Sequence, residues 1–319
     1  MIDGALAAPS KENVLMQSGD CSVSILPGLG GKIASIRIHR NELLQAPLAP
    51  LGPRTRTTAF EASDASGWDE CLPSVAGCTV ETAAGRAEIP DHGDLWRVAW
   101  EQVASGQDFV KLRGACFSLP LVLERMTTLA ETANGWQLRL DYRLTNTGNN
   151  PVPWSWAAHP LFAAAEGDRI LLPDTVRTLR VEGSAGHRLG ATGDAVAWPV
   201  ATLANGSRTD LSVAQPPASG IGDKLFTGPL APAENWCVLE RPSAGVRIRL
   251  RFDPAATPYL GLWICYGGWP EQPGPKQNCV ALEPSTAPVD SLAISGPWSR
   301  TLEPGESCAW PMWIDLEMI

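Results

Sequence analysis

Apolar and polar residues take strict turns along three stretches of this chain, and that period of two limits the fold more than any other feature. Trp136, Leu138, Leu140, Tyr142 and Leu144 interleave with Gln137, Arg139, Asp141 and Arg143. Val246, Ile248, Leu250 and Phe252 alternate with Arg247, Arg249 and Arg251, and Trp310, Met312, Ile314 and Leu316 repeat the pattern near the end. Successive side chains of a strand point to opposite faces, so each stretch reads as a strand with one face in a core and the other in water, an antiparallel signature. Further strands are expected near 21–26, 32–38, 95–104, 108–116, 122–131, 235–242, 258–265 and 278–283, parted by turn-rich pieces such as Thr147-Gly148-Asn149-Asn150-Pro151. No amphipathic helix of three turns is evident, and 28 Pro with 30 Gly punctuate the whole chain, which opposes a helical bundle or an α/β sheet. The expected class is all-β.

At 319 residues the chain can form one large β unit, and it shows no internal repeat or change of composition that would mark a second. One domain is therefore expected over residues 1–319, with 1–19 an irregular N-terminal segment. Gly, Ala, Pro and Ser accumulate without a period over 184–232, which reads as a long loop excursion from one rim of a sheet. A net charge of −9 with scattered Lys and Arg argues against nucleic acid or an anionic membrane surface as partner, since both call for clustered positive charge. No run of 18 apolar residues offers a membrane span, and the opening MIDGALAAPSKENVLM lacks the basic, then apolar, build of a secretory signal. Eight Cys without a CxxC pair read as reduced thiols, so a cytoplasmic protein, monomer or homodimer, is expected.

Three residues stand in positions suited to proton transfer. His92 lies in the turn Ile89-Pro90-Asp91-His92-Gly93-Asp94-Leu95-Trp96. His159 ends Trp154-Ser155-Trp156-Ala157-Ala158-His159-Pro160, and Glu283 ends the apolar run of Ala281-Leu282-Glu283-Pro284-Ser285-Thr286. Proline disfavours the α region for the residue before it, so His159 and Glu283 are expected in extended, restricted backbone. The plainer readings are partly buried, satisfied imidazoles and a strand-end carboxylate in water. Gly67-Trp68-Asp69-Glu70-Cys71-Leu72-Pro73 adds an aromatic ring and two carboxylates, and is equally readable as an acidic surface turn. Thirteen Trp against three Tyr is unusual; flat rings suit the CH-rich faces of sugars, and Trp154/Trp156 and Trp263/Trp269 lie near these motifs.

The ordered set of motifs resembles the aldose 1-epimerase, or galactose mutarotase-like, superfamily. The resemblance rests on Asp91-His92-Gly93 with Asp94-Leu95-Trp96, on Ala158-His159-Pro160-Leu161-Phe162, on Ala281 to Thr286 with Asp290-Ser291-Leu292, and on Leu302-Glu303-Pro304-Gly305-Glu306 before the last strand. It spans roughly residues 20 to 317. The resemblance implies a β-supersandwich of two large antiparallel sheets with a sugar cleft, and interconversion of the α and β anomers of an aldose without metal or cofactor. By the same resemblance Glu283 is the general base, His159 the general acid and His92 the second histidine that binds and polarises the sugar. Trp68, Asp69, Glu70, Asp91, Trp156 and Arg97 are the expected substrate-binding residues. The Asn-Arg pair of galactose-type members is missing, with only Arg54 and Arg56 in that region; Arg97, Arg54, Arg56 and Lys224 are the cations that could meet a phosphosugar.

Opening a pyranose means taking the proton from the anomeric hydroxyl while giving one to the ring oxygen, and a carboxylate with an imidazole can do both. For this Glu283 has to be ionised and His159 protonated or strongly donating near neutral pH, and proximity of the two would favour both charged forms. Two other readings stay open. The same fold hosts many functions, so a non-catalytic sugar-binding or regulatory protein is possible. Two His and one carboxylate also match the ligand types of a metal triad, although the three groups lie 67 and 124 residues apart.

Overall fold

The computed structural model describes residues 13–319. Two large sheets, one of eleven strands and one of eight, are built entirely from antiparallel pairs. The alternating stretches form the middle of the eight-stranded sheet, where Val246–Phe252, Ser307–Met318, Gly135–Asn146 and Leu121–Thr132 lie side by side. Their pairing aligns Leu250, Ile314, Leu138 and Leu129 in one row across the sheet, and all four are buried. Burying each such side chain stabilises the fold by about 1.5–3 kcal/mol, so a slip of one residue in any strand would turn a whole row into water.

The second layer of that core comes from the eleven-stranded sheet. Its centre runs Trp68–Cys71, Ala157–Ala163, Asn278–Ser285, Tyr259–Tyr266 and Ile221–Phe226. Trp68, Trp156, Ala158, Leu282, Leu262 and Leu225 meet the eight-stranded sheet in one apolar core. A buried ion pair bridges the layers: Arg125 and Tyr142 of one sheet donate to Glu70 Oε1 at 2.8 and 2.9 Å, and Trp156 donates to Oε2 at 3.0 Å.

Four expectations are corrected. Residues 68–71 are a wholly buried strand rather than an acidic surface turn, because Glu70 finds Arg125 and Asp69 finds Lys32. The 184–232 stretch is not one loop excursion: it holds Ala195–Ala197, Val200–Thr202, Arg208–Asp210 and the buried central strand Ile221–Phe226. The strand expected at 95–104 begins only at Glu101, with Leu95–Arg97 a single 3₁₀ turn. Of the segment expected to be irregular, Val14–Ser18 pairs with Cys21–Leu26 as a strand, and residues 1–12 lie outside the described residues.

Candidate active site

Because side chains alternate across a strand, the outer face of the eleven-stranded sheet carries the residues left out of the core. His159 pairs with Asp69 on one side. On its other side the register Ala157↔Ser285 and Leu161↔Ala281 sets it opposite Glu283. Glu283 in turn faces Gly261, and Lys224 faces Trp263. Both X-Pro residues are in strands, as the prolines after them predict. Over this row lies a cavity of about 410 Å³, a size suited to a small ligand.

His92 reaches the cavity from a turn. It adopts φ 59°, a left-handed conformation that a non-glycine residue holds only when its surroundings insist. The next residue has to be glycine: a Cβ on Gly93 would stand 2.2 Å from the Leu72 carbonyl oxygen. The His92 amide donates to Val75 O at 2.5 Å, and Asp94 Oδ2 accepts from the amides of Phe117 and Ser118 at 2.9 and 2.8 Å. Asp91 lies 2.7 Å from His92 Nδ1, which leaves Nε2 for the cavity. Phe60 stacks on the His92 ring at 3.8 Å and meets His159 edge-on at 5.5 Å.

Within the cavity, Glu283 Oε1 and His159 Nε2 are 3.9 Å apart. Both side chains are almost wholly buried, and neither Glu283 Oε1 nor His159 Nδ1 has a hydrogen-bond partner. Lys224 donates to Glu283 Oε2 and lies 3.4 Å from Asp290 Oδ1. Burial pushes the Glu283 carboxyl above its ordinary value against the pull of Lys224, and Asp290 pushes it the same way. Burial also drives His159 well below its ordinary value, helped by His92, Lys224 and Lys32. Both shifts run against the expectation that proximity favours the charged forms: burial, the first cause for each, disfavours the ionised Glu283 and the protonated His159 alike.

Of the other expected site residues, Asp91 lines the cavity. Trp68, Glu70 and Trp156 point into the core between the sheets. Asp69 shares the row with His159, but Lys32 lies 2.6 Å and Arg54 3.5 Å from its carboxylate, so it is held in a buried ion network. Arg97 braces the His92 turn instead of lining the cavity, donating to Asp91 O at 2.6 Å and to Thr58 O at 3.0 Å. Arg56 packs on Phe117. Cavity residues that the sequence reading did not assign to the site include Phe60, Trp263, Trp269, Gln277, Asp290 and Lys224, the last named only as a cation for a phosphosugar. Trp263 is oriented by Gln277, whose Oε1 accepts from its indole at 2.8 Å. Asp290 stood inside a motif already singled out, and Trp263 and Trp269 in the aromatic stripes; nothing local marked Phe60. Among the described residues no group of three or more His, Cys, Asp or Glu is arranged to hold a metal ion.

No protein-family model and no curated protein matches this sequence. Solved structures do match. A protein of Synechocystis sp. PCC 6803 superposes with a TM-score of 0.73 at 18% identity over 100% of both chains. A candidate aldose 1-epimerase of Escherichia coli K12 gives 0.69 at 17% identity, covering 97% of this chain and 99% of its own. A galactose mutarotase-like protein of Lactobacillus casei ATCC 334 gives 0.67 at 15% identity, over 96% of this chain and 100% of that one. The chain has the galactose mutarotase-like fold.

Proposed function

We propose that the protein, acting as one unit over its length, is a mutarotase that interconverts the α and β anomers of an aldose by general acid–base ring opening. The observation that carries this reading is the 3.9 Å between Glu283 Oε1 and His159 Nε2. The anomeric hydroxyl and the ring oxygen sit on one carbon, so the two groups serving them must be close neighbours, as these are. A neutral sugar face can rest on Phe60, Trp263 and Trp269, with His92 Nε2 and Asp91 for its hydroxyls.

Burial moves the Glu283 carboxyl up and the His159 imidazole down, so their proton affinities approach each other. The pair is competent when it carries one proton. With that proton on His159, Glu283 takes the hydrogen of the anomeric hydroxyl as His159 protonates the ring oxygen and the C1–O5 bond breaks. The open aldehyde turns about C1–C2, and closure on the other face returns both protons. A positioned acid or base contributes about 10² to 10⁴-fold each. None of this calls on a metal or cofactor.

The test is anomer equilibration of freshly dissolved aldoses, uronic acids and sugar phosphates, followed by polarimetry or anomeric NMR. Saturable acceleration, lost in Glu283→Gln and in His159→Asn while sugar still binds, is expected. Its rate should fall as the pH rises past the upper apparent pKa of the pair. Binding without acceleration would make the protein a sugar-binding or regulatory member of the fold. The eight cysteines are all free, which supports placing it in a reducing compartment, the cytoplasm.

A further inference from the structure

The two oxygens of Glu283 have different fates. Oε2 is gripped by the Lys224 ammonium, whereas Oε1 is buried with no hydrogen-bond partner and looks toward His159. Lys224 is itself held: it comes from the buried strand Ile221–Phe226, its ammonium stands 5.2 Å from the Phe226 ring centroid, and Asp290 Oδ1 is 3.4 Å away. An ammonium in contact with one oxygen of a dehydrated carboxylate does two things. It fixes the rotation of the carboxylate, and it compensates the lost hydration of the anion.

We propose that Lys224 is a positioning residue for Glu283, gripping Oε2 so that the carboxyl stays ionised in a dry site with Oε1 turned to the sugar. This rests on the mutarotase reading for what Oε1 does, and on geometry alone for the grip. The motif resemblance gave Lys224 no such part; the sequence offered it only as a cation for a phosphosugar. With Glu283 and Asp290 both against it, Lys224 has no free charge to give to a phosphate.

The groups that face Glu283 are His159 from the neighbouring strand, Cys71 from the strand beyond, Lys224, Asp290 from the segment after Ser285, and His92 with Asp91 from the turn. Glu182 adds its charge behind Asp290. Burial works against the Lys224 cation, yet Asp290 and Glu283 outweigh it and raise its affinity for the proton. Of these groups only Lys224 touches Glu283 as a permanent cation.

The experiment is a carboxyl ¹³C NMR titration of Glu-labelled protein, with Glu283→Gln assigning the resonance, run beside the pH profile of anomerisation. In Lys224→Met the Glu283 midpoint is expected to rise by about 1 to 3 pH units, as for any carboxylate that loses an adjacent cation. The rate at neutral pH should fall with it, and Lys224→Arg should return both toward wild type. A folded Lys224→Met protein with an unmoved midpoint overturns the proposal. Should Lys224→Met not fold, Asp290→Asn serves: removing that like charge should lower the Glu283 midpoint, and no movement again overturns it. A wild-type chain that equilibrates no sugar while the midpoint still moves would sink the mutarotase reading and keep the Lys224–Glu283 link. Turnover lost in Glu283→Gln, beside an unmoved midpoint, would do the reverse.

Discussion

On the mutarotase reading, adding a single methyl group at Gly261 should slow anomerisation without replacing any group that moves a proton. This glycine faces Glu283 across the sheet and has no unusual backbone angle, so alanine fits the chain itself. Its Cβ would stand 3.0 Å from Phe226 Cε1, 3.1 Å from Glu283 Oε2 and 3.3 Å from Glu283 Cβ, where ordinary contact begins at 3.4 Å. Glu283 must then give by a few tenths of an ångström, while its Oε2 is held by Lys224. A misplacement of 1 Å in a reacting group can cost about a hundredfold, so a third of that displacement costs about fivefold in kcat. Crowding destabilises by about 1–3 kcal/mol, and the lost freedom of the unfolded glycine returns about 0.4–1, which leaves a net loss on the order of 1 kcal/mol. Polarimetric kcat beside a calorimetric Tm separates the two effects. Gly222→Ala is the control, because its Cβ would meet nothing closer than 3.4 Å. A Gly261→Ala enzyme turning over at the wild-type rate would refute the claim that carboxylate placement limits the chemistry.

Two further outcomes concern the frame beneath the site. Glu70→Ala strands the fully buried Arg125 guanidinium between the sheets and should cost about 3–5 kcal/mol in urea unfolding; a loss under about 1 kcal/mol would mean that the pair is not desolvated as described. Burial would raise Asp64, but Lys32 and Arg54 outweigh it and bring its pKa from 3.8 down to about 2. A depressed carboxylate adds stability above its unfolded pKa and loses it as the pH falls to the folded one, so Asp64 contributes about 2 kcal/mol at neutral pH. Asp64→Asn should be less stable than wild type by that amount at pH 7, with the gap closing between pH 3.8 and about 2; a gap that ignores pH would contradict the charge network.

Strands with one wet face were legible because burial and exposure alternate in step with the side chains, as from Trp136 to Leu144. Ile221–Phe226 was not legible, because it is buried on both faces, so Gly222, Asp223 and Lys224 break the apolar run that would otherwise mark a central strand. The same blindness hid the contact of Lys224 with Glu283. Trp68 to Cys71, Trp-Asp-Glu-Cys, shows no alternation, and a core Glu is tolerated only with a partner; Arg125 stands 55 residues away where no local pattern points to it. His159 and Glu283 were legible through the prolines that follow them. The abundant Trp misled in part: Trp154, Trp156 and Trp310 cluster with Tyr142 in the core, while Trp263 and Trp269 alone of the thirteen line the cavity.

The most direct measurement is a crystal structure of Glu283→Gln with an aldose bound. Its anomeric oxygen should lie within hydrogen-bond reach of the side chain at 283 and its ring oxygen at His159 Nε2, with a sugar face against Phe60 or Trp269. A hexose held with its anomeric carbon turned away from both groups, or bound outside this cavity, would contradict the assignment.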